Sequence, residues 1–373
     1  MDDTVLNRRF LTEVAGSLED AQVVATSPLG DIALAKLDKM PVDLVLLDLE
    51  MPQSDGLEAL RRIRQRHPGV AVIVTGSATE SAGGMAVRAL QLGALDYIQK
   101  PCGADAAANR EEFREKLLAP LRLVRIRRNL HGAEAEPRVV VPYSSTGPQP
   151  PSPPAAPLFA PLLPRPPRPN RIDVVAIGVS TGGPNALMEL IPMLPADLAV
   201  PVLIVQHMPP AFTASLAEHL AAKSQIAVRE AVDGEPIVAG TVLIAPGGRH
   251  MVVRARVDAA GKPERIVGSS DAPPENSCRP SVDVLFRSVA AHYAGNILAL
   301  VMTGMGSDGC EGVRVMKRQG CLCFTQTEDT CVVYGMPMAV DEAGLSDQRV
   351  PLRLLASHVT RAVRGDLAPW IEK

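Results

Sequence analysis

The sequence predicts an α/β protein made of two doubly wound parallel-sheet units joined by a proline-rich connector. Three observations lead there. Apolar runs of strand length alternate with amphipathic helical stretches over residues 1–128 and again from 171 onward, the pattern of a parallel sheet with helices on both faces. Polar residues stand just past the carboxyl ends of several of these runs, the edge at which open parallel sheets bind ligands. Between the blocks, thirteen of the 39 residues 131–169 are proline. Such a composition favours extended polyproline structure, buries no core and reads as a semi-rigid tether. The predicted organisation is therefore 1–128, a connector over 129–170, and 171–373.

Composition narrows the function. A net charge of -3 and a pI near 6.2 provide no broad basic surface, so a general nucleic-acid binder is disfavoured. The cluster Arg122, Arg125, Arg127 and Arg128 has helical spacing and reads as a solvated face. Six scattered cysteines form no C-x-x-C pair or disulfide framework, which points to a reducing compartment. No signal peptide is evident and no apolar run reaches the roughly 18 residues needed to span a bilayer. A cytoplasmic protein without membrane insertion is expected.

In the first block, helices are predicted over Val5–Leu18, Ile32–Leu37, Leu57–Arg66, Met85–Leu92 and Glu111–Arg128. Strands are predicted over Gln22–Ala25, Leu44–Leu47, Val70–Val74 and Asp96–Ile98. Asp48, Thr75 and Lys100 fall at strand ends, and Asp2 and Asp3 precede the first helix. Clustered acids repel unless a divalent cation or a lysine neutralises them. Singly, each of these residues reads as a cap, a strand end or a surface charge; their convergence on one edge does not.

Through Asp2-Asp3, Leu47-Asp48-Leu49-Glu50-Met51-Pro52, Asp55-Gly56, Thr75, Tyr97 and Lys100-Pro101, this block resembles a response-regulator receiver domain with a flavodoxin-like fold. The resemblance implies that Asp48 accepts a phosphoryl group and that Asp2, Asp3, Asp48 and the Glu50 carbonyl hold Mg²⁺. It further implies that Thr75 and Lys100 contact the phosphoryl group, that Tyr97 is the switching aromatic, and that the Lys100–Pro101 bond is cis. The family's first apolar strand leads into the paired aspartates; since these are residues 2 and 3, a late start assignment with a few missing residues is expected.

In the second block, strands are predicted at Val174–Ile177, Val202–Val205, Thr241–Ala245 and Ile297–Met302, with a hairpin of Met251–Val257 and Arg265–Val267. Helices are predicted from Pro184 through Leu190, over Phe212–Ala222 and over Val282–Ala291. Gly178-Val179-Ser180-Thr181-Gly182 fits the G-x-S-x-G turn that exposes a serine hydroxyl between strand and helix; phosphate-binding turns share this composition. Ser180, His207 and Asp308 all fall on carboxyl-end loops. A serine hydroxyl needs a base, and the base a carboxylate that fixes its tautomer. The order Ser, His, Asp is not that of α/β-hydrolases. His219, His292 and His358 read as helix residues, leaving His250, after Pro246-Gly247-Gly248, as the rival to His207. Adjacent strand ends favour His207.

Residues 171–365 resemble the catalytic domain of chemotaxis protein-glutamate methylesterases, a Rossmann-like fold. The resemblance runs through Gly178–Pro184, Gln206-His207-Met208-Pro209, Ala245–Met251, Arg279–Asp283, Met302–Gly309 and Tyr334–Pro337. It implies a Ser180–His207–Asp308 triad, an oxyanion site from the backbone N–H groups of Thr181 and Met305, and no metal in this unit. Methyl-accepting chemoreceptors are then the substrate and a histidine kinase the phosphodonor; some members of that family also deamidate receptor glutamines by the same route. The competing reading is a non-enzymatic regulator whose second block binds a nucleotide or partner; it lacks a GxGxxG spacing or P-loop lysine and leaves His207 and Asp308 unexplained.

Overall fold

The computed structural model describes the chain apart from residues 52–54, 78, 102, 133–168, 258–260 and 368–373. The connector expected at 129–170 thus falls almost entirely outside the described residues, as does Pro52. The first unit runs α1 (Val5–Gly16), α2 (Gly30–Leu37), β1 (Leu44–Asp48), α3 (Gly56–Arg66), β2 (Ala71–Gly76), α4 (Glu80–Gln91), β3 (Asp96–Gln99) and α5 (Ala106–Gly132). Its sheet is parallel in the order β1-β2-β3. Every residue of β2 is buried, as a central strand covered on both faces must be. The Asp55 carboxylate caps α3 through the Leu57 N–H at 2.9 Å, and Ala59, Leu60 and Ile63 turn inward at helical spacing.

One expected strand is absent. Gln22–Ala25 has β-forming residues but runs as irregular chain, with Val23 and Val24 37% and 50% exposed. Propensity alone does not hold a strand; a ladder partner does. Among the described residues nothing pairs with this segment as a strand. Met1 instead occupies one rung on the outer edge of β1, its amine donating to Leu46 O at 2.7 Å and its carbonyl accepting from Asp48 N at 2.9 Å. That rung delivers Asp2 and Asp3 to the end of β1. Nor is Lys100–Pro101 cis; the cis bond found among the described residues is Arg279–Pro280. The two X–Pro isomers differ by only about 0.5–1 kcal/mol, and Lys100 reaches its partners with the trans bond.

The second unit is a seven-stranded parallel sheet in the order β12-β11-β10-β4-β5-β7-β6. It runs β4 (Val174–Val179), α6 (Gly183–Leu190), β5 (Val202–Gln206), α7 (Pro210–Lys223), β6 (Ala227–Glu230), β7 (Thr241–Ile244), the antiparallel hairpin β8 (His250–Val257) and β9 (Pro263–Ser270), and α8 (Val282–Tyr293). It ends with β10 (Ile297–Val301), α9 (Cys310–Lys317), β11 (Leu322–Gln326), α10 (Met336–Glu342), β12 (Gln348–Val350) and α11 (Leu352–Val363). The expected β4, β5, β7, β10 and hairpin are all present. Two apolar layers flank the sheet, one under α6, α7 and α11, the other under α8, α9 and the hairpin. β4 lies between β10 and β5, so the loops after these three strands open side by side.

The units are packed together. Phe212 of α7 is fully buried within the apolar cluster of the first unit, and Val87 of α4 within that of the second. The Tyr97 and Phe212 rings meet at 4.2 Å between centroids. Burying one such side chain contributes about 1.5–3 kcal/mol.

Candidate active site

Ser180 follows β4 directly. Gly182 holds a left-handed φ of 78° that starts α6, and a side chain at Gly304 would strike Ser180 Cβ at 2.7 Å. Both positions need glycine, the first for its backbone angle and the second for its lack of bulk. Gly304 thereby brings the loop after β10, with Met305, against Ser180. Ser180 N donates to Thr303 O at 2.9 Å, and Gln206 Nε2 donates to Ser180 O at 3.0 Å. Among the described residues the N–H groups of Thr181 and Met305 have no protein acceptor, which leaves them available for a developing oxyanion.

His207 follows β5, its N–H tied to Val179 O. Its Nε2 lies 2.8 Å from Asp308 Oδ2. Asp308, after β10, also accepts from Ser281 Oγ (2.9 Å), Val282 N (2.7 Å), Asp283 N (3.0 Å) and Asn276 Nδ2 (2.9 Å). Two of these donors are first-turn amides of α8, so a helix N-terminus stabilises the carboxylate. Burial works against its charge, but the His207 hydrogen bond and these donors outweigh that and hold Asp308 well below the usual carboxylate range. Burial likewise opposes charge on His207; hydrogen bonds to Asp308 and Cys278 prevail and raise it to about 9. With Nε2–H donated to Asp308, Nδ1 is the basic nitrogen.

The structure therefore brings His207 and Asp308 together and places Ser180 on the neighbouring strand end. It forms no Ser180–His207 hydrogen bond among the described residues; Nδ1 instead faces Cys278 Sγ at 3.4 Å. Catalytic contacts often tighten only with substrate bound. The rival His250 is spoken for: its Nδ1 accepts from Ser281 N at 3.1 Å and its Nε2 donates to Pro273 O at 3.1 Å. Asn276, Cys278, Ser281 and Asp283 were not among the expected site residues. Their signal was the polar stretch beginning just before Arg279-Pro280-Ser281. Asp283, pushed up to about 6 chiefly by burial, accepts from Gly309 N and Gly312 N at the start of α9 and so anchors the loop that carries Asp308.

A base raised to about 9 is mostly protonated at neutral pH, and only the neutral imidazole can accept a proton. Hydrolysis by the intact protein should therefore rise about tenfold per pH unit from pH 7 and level off near pH 9. A flat kcat/KM profile over that range would mean that no group titrating near 9 serves as the base.

The second site lies at the β1–β3 edge. Asp2, Asp3 and Asp48 oxygens fall within 4.8 Å of one another, and Lys100 Nζ bridges Asp2 at 2.8 Å and Asp48 at 2.7 Å. Burial raises the Asp48 carboxyl more than Lys100 lowers it, whereas on Lys100 the two carboxylates overcome burial and raise the ammonium. The Glu50 carboxylate turns away to Ser77, accepting from its N–H at 2.6 Å and its hydroxyl at 2.7 Å. The buried Thr75 hydroxyl has no hydrogen-bond partner. An all-oxygen donor set suits a hard divalent cation, and an orphaned buried hydroxyl beside it suits an anion yet to arrive. Tyr97 points at neither; its hydroxyl donates to Gly76 O and Ser77 O while its ring rests on Phe212.

The first unit packs beside the Ser180 edge. α4 packs on α7, which begins three residues after His207, and Asp96 lies beside Thr181, its carboxyl pushed to about 6 by burial against the smaller opposing effects of the Tyr97 amide and the Thr181 hydroxyl. Val332, from the loop touching Gly182, packs into the cluster of α1 and α5. No described helix is long and apolar enough to cross a membrane.

Two family models match the chain: the response regulator receiver domain over residues 1–110 and CheB methylesterase over 175–359. A protein from Desulfotalea psychrophila named protein-glutamate methylesterase/protein-glutamine glutaminase is 38% identical over 98% of this chain and 97% of its own length. One of the same name from Trichodesmium erythraeum is 39% identical, covering 97% of each chain. The crystal structure of the Thermotoga maritima CheB methylesterase catalytic domain is 37% identical, with a TM-score of 0.49, covering 51% of this chain and 98% of that one.

Proposed function

The chain belongs to the CheB methylesterase family in its receiver-linked form, and we propose how its own residues carry out and control the reaction. It is a protein-glutamate methylesterase, a hydrolase of chemotaxis adaptation. Ser180 Oγ attacks the γ-carbonyl of a methylated glutamate while His207 Nδ1 takes its proton. The imidazolium is held by Asp308, and the oxyanion by the Thr181 and Met305 N–H groups, a contribution of about 3–4 kcal/mol per donor. Methanol leaves with the proton from His207, and water then hydrolyses the acyl-serine. An amide substrate would follow the same steps and release ammonia, the glutaminase reaction in the relatives' names. Methyl-accepting chemoreceptors are the substrate in this reading and a cytoplasmic histidine kinase the phosphodonor.

Residues 1–128 form the regulatory unit and 171–373 the catalytic one. Asp2, Asp3, Asp48 and the Glu50 carbonyl would hold Mg²⁺, which supplies charge neutralisation for phosphoryl transfer. Asp48 receives the phosphoryl group, Lys100 turns to it from the carboxylates, and Thr75 donates its unpartnered hydroxyl. The carrying observation is that Tyr97 and α4 rest on the helix that follows His207. Drawing Thr75 and Tyr97 toward a phosphoryl group alters the surface that touches Phe212, so phosphorylation undocks the receiver.

Methanol release from methyl-labelled receptor membranes tests the reading, with acetyl phosphate expected to stimulate it. Gly83 provides an independent handle. A Cβ there would lie 2.3 Å from Ala211 O of α7, although alanine suits a helix better than glycine by up to about 1 kcal/mol. Gly83→Ala should raise release several-fold without a phosphodonor; unchanged basal release would mean that the contact does not inhibit.

A further inference from the structure

The Cys278 thiol neither attacks the ester nor carries its proton in the proposed mechanism, yet it faces the basic nitrogen of His207 at 3.4 Å. Among the described residues neither Sγ nor Nδ1 has another partner. Donor atoms of His207, Cys278 and Asp308 all lie within 4.8 Å of one another. Asp308 is committed to the five donors named above, one of them His207 Nε2. The free pair is therefore one sulfur and one imidazole nitrogen.

We propose that Cys278 Sγ and His207 Nδ1 form a binding site for a soft divalent cation, Zn²⁺ in particular, which occupies the base and reversibly switches the esterase off. Zn–S and Zn–N bonds of about 2.3 and 2.0–2.1 Å at a tetrahedral angle place S and N about 3.5 Å apart, which the observed separation matches. Thiolate and imidazole select Zn²⁺ over Mg²⁺, whereas the all-oxygen Asp2–Asp3–Asp48 set favours the harder ion. A carboxylate on the far ring nitrogen is the usual support of a zinc-bound histidine, because it fixes the tautomer and raises ligand basicity. On binding, the thiol gives its proton to solvent, Sγ–Zn and Nδ1–Zn bonds form, and water fills the other positions. The Nδ1 lone pair is then used, and the Ser180 proton has no acceptor. The inhibitory effect rests on His207 being the base; the binding does not.

Cobalt separates the two. The intact protein in saturating Mg²⁺, which fills the receiver site, is titrated with Co²⁺. One equivalent should produce a thiolate-to-cobalt charge-transfer band that is lost in Cys278→Ser and in His207→Gln, each checked for folding by circular dichroism. Zn²⁺ should abolish the band and inhibit wild-type methanol release, with chelator restoring it and with at least tenfold more Zn²⁺ needed for Cys278→Ser. No band in wild type, or a band unchanged in folded Cys278→Ser, would overturn the site. A band with no inhibition would keep the site and remove its control of catalysis.

Discussion

Ser180→Ala abolishes methanol release, lowering kcat about 10⁴-fold or more, while leaving the melting temperature nearly unchanged. The first half follows from chemistry: at the end of β4 the neighbouring Thr181 hydroxyl is engaged by Asp96, which leaves the Ser180 hydroxyl beside unengaged N–H groups and next to the histidine-bearing strand end. The second follows from structure, since the serine hydroxyl makes no hydrogen bond among the described residues and its backbone groups are held by Thr303 and Gln206. Activity is read as labelled methanol and stability as a melt. A variant retaining a tenth of wild-type activity would place the nucleophile elsewhere.

Asp308→Asn should cost about 10⁴ in kcat and also destabilise the protein. An amide presents one acceptor oxygen where the carboxylate serves five donors, so its NH₂ group must face N–H groups of α8 or the His207 ring. Hydrogen bonds to a charged acceptor contribute about 1.5–3 kcal/mol each, and some are forfeited. The same change removes the charge that raises His207, so the break in the pH–rate profile should move below pH 9. Loss of rate without that movement would mean that Asp308 supports the loop and not the base.

Much of this site could be read from the chain because the chemistry sits at turns. Glycines on either side of Ser180, and the polar residues ending β5 and β10, are local signals, and parallel alternation then puts their loops on one edge. The supports of the pair are harder to read: Asn276 and Ser281 reach Asp308, and Cys278 reaches His207, through the path of the segment between β9 and α8, which has no period to reveal it. Gln22–Ala25 failed as a strand for the complementary reason, since pairing belongs to the sheet and not to the segment. β6 and β12, four and three residues long, are too short for periodicity to mark. The packing of Tyr97 on Phe212 joins residues more than a hundred positions apart across the connector, and neither ring advertises its partner.

The most direct test of aspartyl control is methanol release from labelled receptor membranes by wild type and Asp48→Asn, each with and without acetyl phosphate in Mg²⁺. Asp48 touches Lys100 but none of the catalytic side chains, so the variant should match the basal wild-type rate and show no response to the phosphodonor, while wild type rises several-fold. Stimulation of Asp48→Asn equal to that of wild type would contradict control of the Ser180 edge through this carboxylate.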